Sequence, residues 1–304
     1  MKQELTYFWK QLRCNLSRLD TIDFRRRKFV ATKIWVAIFL SATAVLFALG
    51  GDAFAAETVD SCSENLECHL QDRSYQLLLP DEWDGKTAMP ILLHFHGWGR
   101  KSSLIVKHRR IAAATVRRGV LLVAPNGRNG TWQFWQQNSE DVIFASEVLQ
   151  DVARRYPVDH ANVFISGYSY GAAMAWRYAC DGGFEIRALL AISGMIPLDQ
   201  ACSGVPQEVR HVHGLSDTVM RFPITLNGNT DYPLQHWREE LRCHSSPVES
   251  QWQARKWLRF RRWQWSNCGA GQVIFDSHPS GHFIPHGWIA RQLDELLDIP
   301  YSYP

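Results

Sequence analysis

The sequence predicts an α/β fold: a mostly parallel central sheet with helices on both faces, built as a single domain. Two patterns predict it. From Ser74 onward, short apolar runs ended by Pro or Gly alternate with longer amphipathic segments, the signature of strands joined by crossover helices. A Gly-x-Ser-x-Gly sequence, Gly167 to Gly171, also falls where one such apolar run gives way to an Ala-rich segment. With 304 residues, 46% hydrophobic and 21% charged, the chain has ample material for a large core, and a disordered, collagen-like or coiled-coil protein is excluded.

The chain opens with a basic segment followed by Ile34–Leu49, sixteen residues without a charge, and then Ala53-Phe54-Ala55. A basic region, an apolar region and a small-x-small site make an export signal, so residues 1–55 read as a signal peptide cut near Ala55 and Ala56. Sixteen helical residues reach only about 24 Å, less than a bilayer core of roughly 30 Å, which disfavours an uncleaved anchor. Arg26-Arg27 fits a twin-arginine pattern loosely, and ordinary flanking charge explains it as well. Nine of the 33 Lys and Arg and four of the 30 Asp and Glu lie in residues 1–55, which leaves the body at −2 despite the overall +3. A slightly acidic body argues against a nucleic-acid partner, and a membrane becomes one only if the leader is retained.

Beyond Cys14 in the leader, Cys62, Cys68, Cys180, Cys202, Cys243 and Cys268 remain. An even number in an exported chain predicts disulfides, here paired in chain order. No pair has the C-x₂-C spacing of a zinc cluster, so no metal is expected.

The expected strands are Tyr75–Leu79, Ile91–Phe95, Val120–Ala124, Val163–Ser166, Ala188–Ile192, Val209–Val212 and Gln272–Phe275. The expected helices are Leu104–Arg118, Asp141–Arg155, Tyr170–Ala179 and Trp288–Leu297. Val142, Ala145, Val148, Leu149 and Val152 share one helical face, as a helix docked on a sheet requires. No internal repeat or low-complexity linker interrupts residues 56–304. One stretch stands apart: Trp237, Trp252, Trp257, Trp263 and Trp265, interleaved with Arg255, Lys256, Arg259, Arg261 and Arg262. It reads as an excursion clipped by Cys243 and Cys268 whose arginines lie over buried indoles, with a nucleic-acid or polyanion surface, or a glycan- or aromatic-ester-binding wall, as the other readings.

The chemistry begins at Val163-Phe-Ile-Ser-Gly-Tyr-Ser-Tyr-Gly-Ala-Ala-Met-Ala-Trp176. Small residues on both sides of Ser169 let the chain turn sharply from strand to helix and present the hydroxyl at the sheet edge. A serine needs a base and an acid that orients the base, in the chain order Ser, Asp, His. Asp217 follows the run Val209–Val212 and is the expected acid, with Asp231 and Asp276 as competitors. His282 is the expected base, in a loop that also holds His278 and His286. His213 reads as packed by the acid loop. The oxyanion donors are expected to be the amide of Tyr170 and that of Trp98 or Gly97, in the loop after Ile91–Phe95. Trp98, Tyr168, Trp132, Trp135 and Trp288 are candidates for the substrate pocket.

Taken with the His96-Gly97 loop, Ala124-Pro125-Asn126-Gly127, Asp141-Val142, His213-Gly214 and Gly281-His282, this pattern resembles the exported α/β-hydrolase esterases of the polyhydroxybutyrate depolymerase and feruloyl esterase group, related to carbohydrate esterase family one. The resemblance runs from about Cys62 to the C-terminus. It implies Ser169 as nucleophile, Asp217 as acid, His282 as base, an ester as substrate, small or polymeric, and no cofactor. The chain departs from the family in having Tyr168-Ser169-Tyr170 where Leu or Met and Asn usually flank the serine, and Phe283-Ile284-Pro285 where Trp-Pro often follows the histidine. A serine peptidase or an acyltransferase shares the scaffold, and a non-catalytic glycan-binding protein is the alternative outside enzymes.

Overall fold

The structure is a computed structural model that describes Cys62, 67–182, 184–196, Cys202, 204–222 and 234–302. The expected leader over 1–55 and Asp231 lie outside the described residues. What is described belongs to one compact unit, Phe54–Pro304. Among the described residues no helix is long and apolar enough to cross a membrane.

Among the described residues ten strands form one sheet: β1 (Glu67–Leu70), β2 (Arg73–Leu78), β3 (Met89–Phe95), β4 (Leu121–Pro125), β5 (Val158–Tyr168), β6 (Ala188–Ile192), β7 (Glu208–Gly214), β8 (Val248–Arg255), β9 (Leu258–Trp265) and β10 (Gln272–His278). Their order is β1-β2-β4-β3-β5-β6-β7-β10-β9-β8. The six strands from β4 to β10 are parallel, and β2, β1, β9 and β8 extend the sheet in antiparallel pairs. The central parallel strands β4, β6 and β7 are buried along their whole length, which is why they read as unbroken apolar runs rather than alternating ones.

The helices are α1 (Ser102–Lys107), α2 (Ala112–Val116), α3 (Glu140–Arg155), α4 (Tyr170–Asp181), α5 (Leu234–Glu240) and α6 (Trp288–Leu296). Leu92, Leu122, Phe164, Leu190 and Val212 point to one face of the sheet, where Ile105 of α1, Ala112 of α2 and Trp288, Ile289 and Leu293 of α6 cover them. Each such fully buried side chain contributes about 1.5–3 kcal/mol. Helices α3 and α4 cover the opposite face, α4 lying across β3, β5 and β6. Ser139 caps α3 by accepting a hydrogen bond from the Val142 amide, with Glu140 and Asp141 in the first turn and Arg154 and Arg155 in the last, so side-chain charge opposes the helix dipole at both ends.

Three differences from the sequence reading have physical reasons. The single helix expected over 104–118 is two short ones, because His108 takes an extended backbone and Arg110 is drawn to the carbonyl of Ile284. The Trp- and Arg-rich excursion is the hairpin β8–β9, annealed to β10, so it enlarges the sheet. Its indoles are buried except Trp257, and the guanidinium of Arg261 lies 4.7 Å from the Trp263 ring centre. Strand β1 and helix α5 were not expected; both are short, and each lies beside a disulfide cysteine. The disulfides are Cys62–Cys68, Cys180–Cys202 and Cys243–Cys268.

Candidate active site

The sheet order reverses around β3: β4 lies on one side of it and β5 on the other. A crevice at the carboxyl ends of the strands opens at such a switch point. The loops after β3, β5, β7 and β10 therefore emerge together, and they carry Gly97 and Trp98, Ser169, Asp217 and His282.

Ser169 stands between β5 and α4 with φ 58 and ψ −120, a conformation that costs a non-glycine residue about 1–3 kcal/mol and persists only where neighbours enforce it. The enforcement is visible. The Ser169 amide donates to the carbonyl of Ile192 at 2.9 Å, and its carbonyl accepts from Ala172 at 2.9 Å. The flanking glycines are required by close approach: a Cβ on Gly167 would lie 2.0 Å from the Gly171 carbonyl oxygen, and one on Gly171 would lie 2.0 Å from that of Phe95. This contact explains the Gly-x-Ser-x-Gly pattern without appeal to chemistry.

Asp217 and His282 meet although 65 residues separate them: His282 Nδ1 donates to Asp217 Oδ2 at 2.7 Å. With its proton on Nδ1, the imidazole carries a lone pair on Nε2, the form a general base needs. The other oxygen, Oδ1, accepts from the amides of Val219 and Met220, each at 2.9 Å. Burial pushes the Asp217 carboxyl up, but hydrogen bonds from His213, His282 and the Met220 amide outweigh it and hold the group well below the usual carboxylate range.

His213 Nε2 faces two oxygens, Asp217 Oδ2 at 3.3 Å and the Met220 carbonyl, so the proton sits on Nε2. Its Nδ1 then accepts from His211 Nε2 at 3.1 Å, and the two rings stack at 5.4 Å. Asp217 is thus held between two histidines. His278 is fully buried against Phe260 and Phe283, with burial pushing it down to about 4. Asp276 is committed elsewhere: it accepts from Arg262, Trp252 and Trp288 in a buried cluster.

Around Ser169 the flanking tyrosines take distinct places. Tyr168 donates its hydroxyl to the His282 carbonyl at 3.1 Å, and its ring lies 4.9 Å from the imidazole. Burial, with the nearby Asp217 charge, raises this phenol to about 12, so it stays a donor. Tyr168 therefore latches the histidine loop, which the residue pattern alone did not reveal. Tyr170 packs edge-on against Phe134, which in turn packs on the exposed Trp135. The loop after β3 is strutted by His96, whose Nε2 accepts from the Gly127 amide at 3.0 Å while Nδ1 donates to the Gly97 carbonyl at 2.9 Å. A Cβ on Gly97 would lie 3.4 Å from Tyr168, so this loop abuts the end of strand β5.

Two pocket candidates are corrected. Trp132 is fully buried and donates to the His96 carbonyl at 2.8 Å. Trp288 is fully buried and donates to Asp276 at 2.9 Å. Each indole has found a polar partner inside the core and cannot line a mouth. Trp98 and Trp135 are 56% and 45% exposed, on loops at the carboxyl edge of the parallel strands. Among the described residues, metal-ligand proximity picks out Cys180, Cys202 and His236, but both thiols are consumed in a disulfide.

No protein-family profile matches the chain. It is 27% identical over 197 residues to a probable feruloyl esterase C of Aspergillus clavatus, an alignment covering 61% of this chain and 71% of that protein. It is 29% identical over 158 residues to feruloyl esterase C of Emericella nidulans, covering 50% of this chain and 57% of that one. The chain spans little more than half the length of several such relatives. The solved acetyl xylan esterase from Aspergillus awamori superposes with a TM-score of 0.52 at 15% identity, over 78% of this chain and 98% of that one, a likeness of fold. The sheet order and the strained serine turn give the chain the α/β-hydrolase fold, and the curated relatives it resembles are feruloyl esterases.

Proposed function

We propose that the protein is an exported serine esterase working through an acyl-enzyme, with feruloyl, acetyl or hydroxyalkanoate esters as its substrate class. Ser169 attacks the ester carbonyl, His282 Nε2 takes the hydroxyl proton and returns it to the leaving alcohol, and Asp217 holds the imidazole tautomer. Water, deprotonated by the same histidine, then releases the acid. The amides of Tyr170 and of Trp98 or Gly97 are the oxyanion donors; losing one such donor costs about 3–4 kcal/mol in the barrier.

The observation that carries this reading is the His282–Asp217 hydrogen bond of 2.7 Å, at the same sheet edge as a serine held at φ 58. Three disulfides and the apolar leader support export to an oxidising compartment. The test is hydrolysis of p-nitrophenyl acetate and butyrate, methyl ferulate and hydroxybutyrate oligomers. Ser169→Ala is expected to remove turnover while leaving the melting temperature within a few degrees. An unchanged rate in that variant would overturn the nucleophile assignment.

A further inference from the structure

We propose that the rim of the catalytic edge is a subsite for carboxylate-bearing carbohydrate, so that the esters this enzyme takes are carried on an acidic, uronate-containing glycan. This rests on the esterase reading above and adds the chemistry of the chain that bears the ester. The starting observation is charge segregation. Between Gly85 and Ser139 the chain has nine Lys and Arg and not one Asp or Glu, and between Ser250 and Phe275 it has five and none. Residues 56–304 nevertheless carry a net −2, so cations are concentrated rather than abundant.

The topology delivers both stretches to one place. Arg100 and Lys101 follow the carboxyl end of β3, and Arg100 lies within electrostatic range of Tyr168, the neighbour of the nucleophile. Strand β9 runs antiparallel to β10, pairing Arg261 with Ser277 and Trp265 with Val273. Its start, and with it the hairpin turn at Arg255–Leu258, therefore projects at the catalytic edge beside the His282 loop. Arg110 donates to the Ile284 carbonyl at 2.6 Å, two residues beyond His282. Burial and then the charges of Arg255 and Arg110 push His286 in that loop down, so both guanidinium groups converge there.

These cations stand apart from others in the molecule. Arg128 pairs with Asp72, Arg261 with Glu249 and Arg262 with Asp276. Arg100, Lys101, Arg109, Arg255, Lys256 and Arg259 are exposed and have no carboxylate partner among the described residues. Trp257 and Trp98, 61% and 56% exposed, stand among them. An indole offers its electron-rich face to the C–H face of a sugar ring, and an arginine fork grips a carboxylate through two hydrogen bonds. A uronate residue presents both groups at once. A phosphate backbone would satisfy the charge but carries no carboxylic ester for the serine.

The experiment compares kcat/KM of the full chain on acetylated oligogalacturonide and on acetylated xylo-oligosaccharide of equal length, at low and high salt. A preference for the acidic chain of about tenfold or more at low ionic strength, shrinking several-fold near 0.5 M salt, is expected of unscreened surface charge. The variant Arg255→Gln/Lys256→Gln/Arg259→Gln should lose most of that ratio with an unchanged melting temperature. A ratio near one in both salts, or a ratio that the triple variant leaves intact, would overturn the proposal. A second arm measures binding of unesterified oligogalacturonide, neutral xylo-oligosaccharide and single-stranded DNA to Ser169→Ala. Preferential binding of the galacturonide supports the subsite, and equal or tighter binding of the DNA overturns it. If no ester is hydrolysed, p-nitrophenyl acetate included, the esterase reading fails, and this binding arm still decides the rim.

Discussion

Asp217 accepts from two backbone amides on Oδ1 and from His282 on Oδ2, and His213 Nε2 lies 3.3 Å from that same Oδ2. The amides fix where the carboxylate lies, so the two histidines are left to share one oxygen. A donor from His213 draws charge away from the oxygen that His282 uses, which weakens the hold of Asp217 on the imidazolium that the proposed mechanism forms. If the proposed triad operates, His213→Phe should therefore leave Asp217 a stronger partner for His282 and raise kcat on p-nitrophenyl acetate by about a few-fold with KM little changed. Steady-state kinetics of the variant check this, and a kcat that falls or stays in place would show that His213 only fills space. The same residues show how far the sequence was legible. Ser169 could be read from its glycines because the constraint is local, whereas the latch by Tyr168 onto the His282 carbonyl spans 114 residues and leaves no spacing signal.

At the scale of elements, the hairpin β8–β9 is tied to the parallel sheet by a disulfide and by buried charge. Arg262 forks onto Asp276 and reaches Glu295, while Trp252 of β8 and Trp288 of α6 donate to the same carboxylate. Burial lowers the affinity of Arg262 for its proton, but Asp276 and Glu295 outweigh that and keep it charged. Arg262→Ala would leave these acids buried without their cation, and a loss of about 3–5 kcal/mol is expected. Urea unfolding monitored by tryptophan fluorescence measures it. Cys243 and Cys268 close a loop with a sequence separation of 25, and replacing both by Ser should cost about 2–4 kcal/mol, read from the same unfolding curves. The excursion was visible in composition, but its strand character was not. Strand β9 alternates buried and exposed residues only as far as Arg261 and then buries Arg262 and Trp263 in succession, because Arg262 is neutralised inside the sheet.

Across the whole molecule, several histidines are buried in their neutral form. Burial pushes His94 down to about 3 and His96 and His278 to about 4, and it depresses His211 strongly as well. Their folded pKa values lie below the unfolded value of about 6.5, so the unfolded chain binds protons that the folded chain refuses. Stability is full above that value and falls as the pH drops from about 6.5 toward 4. Asp217, depressed in the folded state, adds a further loss below about pH 4. Melting temperature measured from pH 7.5 down to 4.5 should fall steadily. His278→Phe, set against Phe260 and Phe283, should flatten part of that slope; an unchanged slope would remove His278 from the account.

By itself the sequence determined the alternating pattern of strands and helices and the serine turn. These are encoded between residues close in the chain, where periodicity and small side chains act directly. The tertiary structure decided what depends on distant partners. It brought His282 rather than His278 or His286 onto Asp217, and it gave Asp276 to Arg262 and two indoles. It also withdrew Trp132 and Trp288 into the core and left Trp98 and Trp135 at the surface. A tryptophan carries the same local signal in either place; only the packing of the sheet and its covering helices determines which indoles keep contact with water.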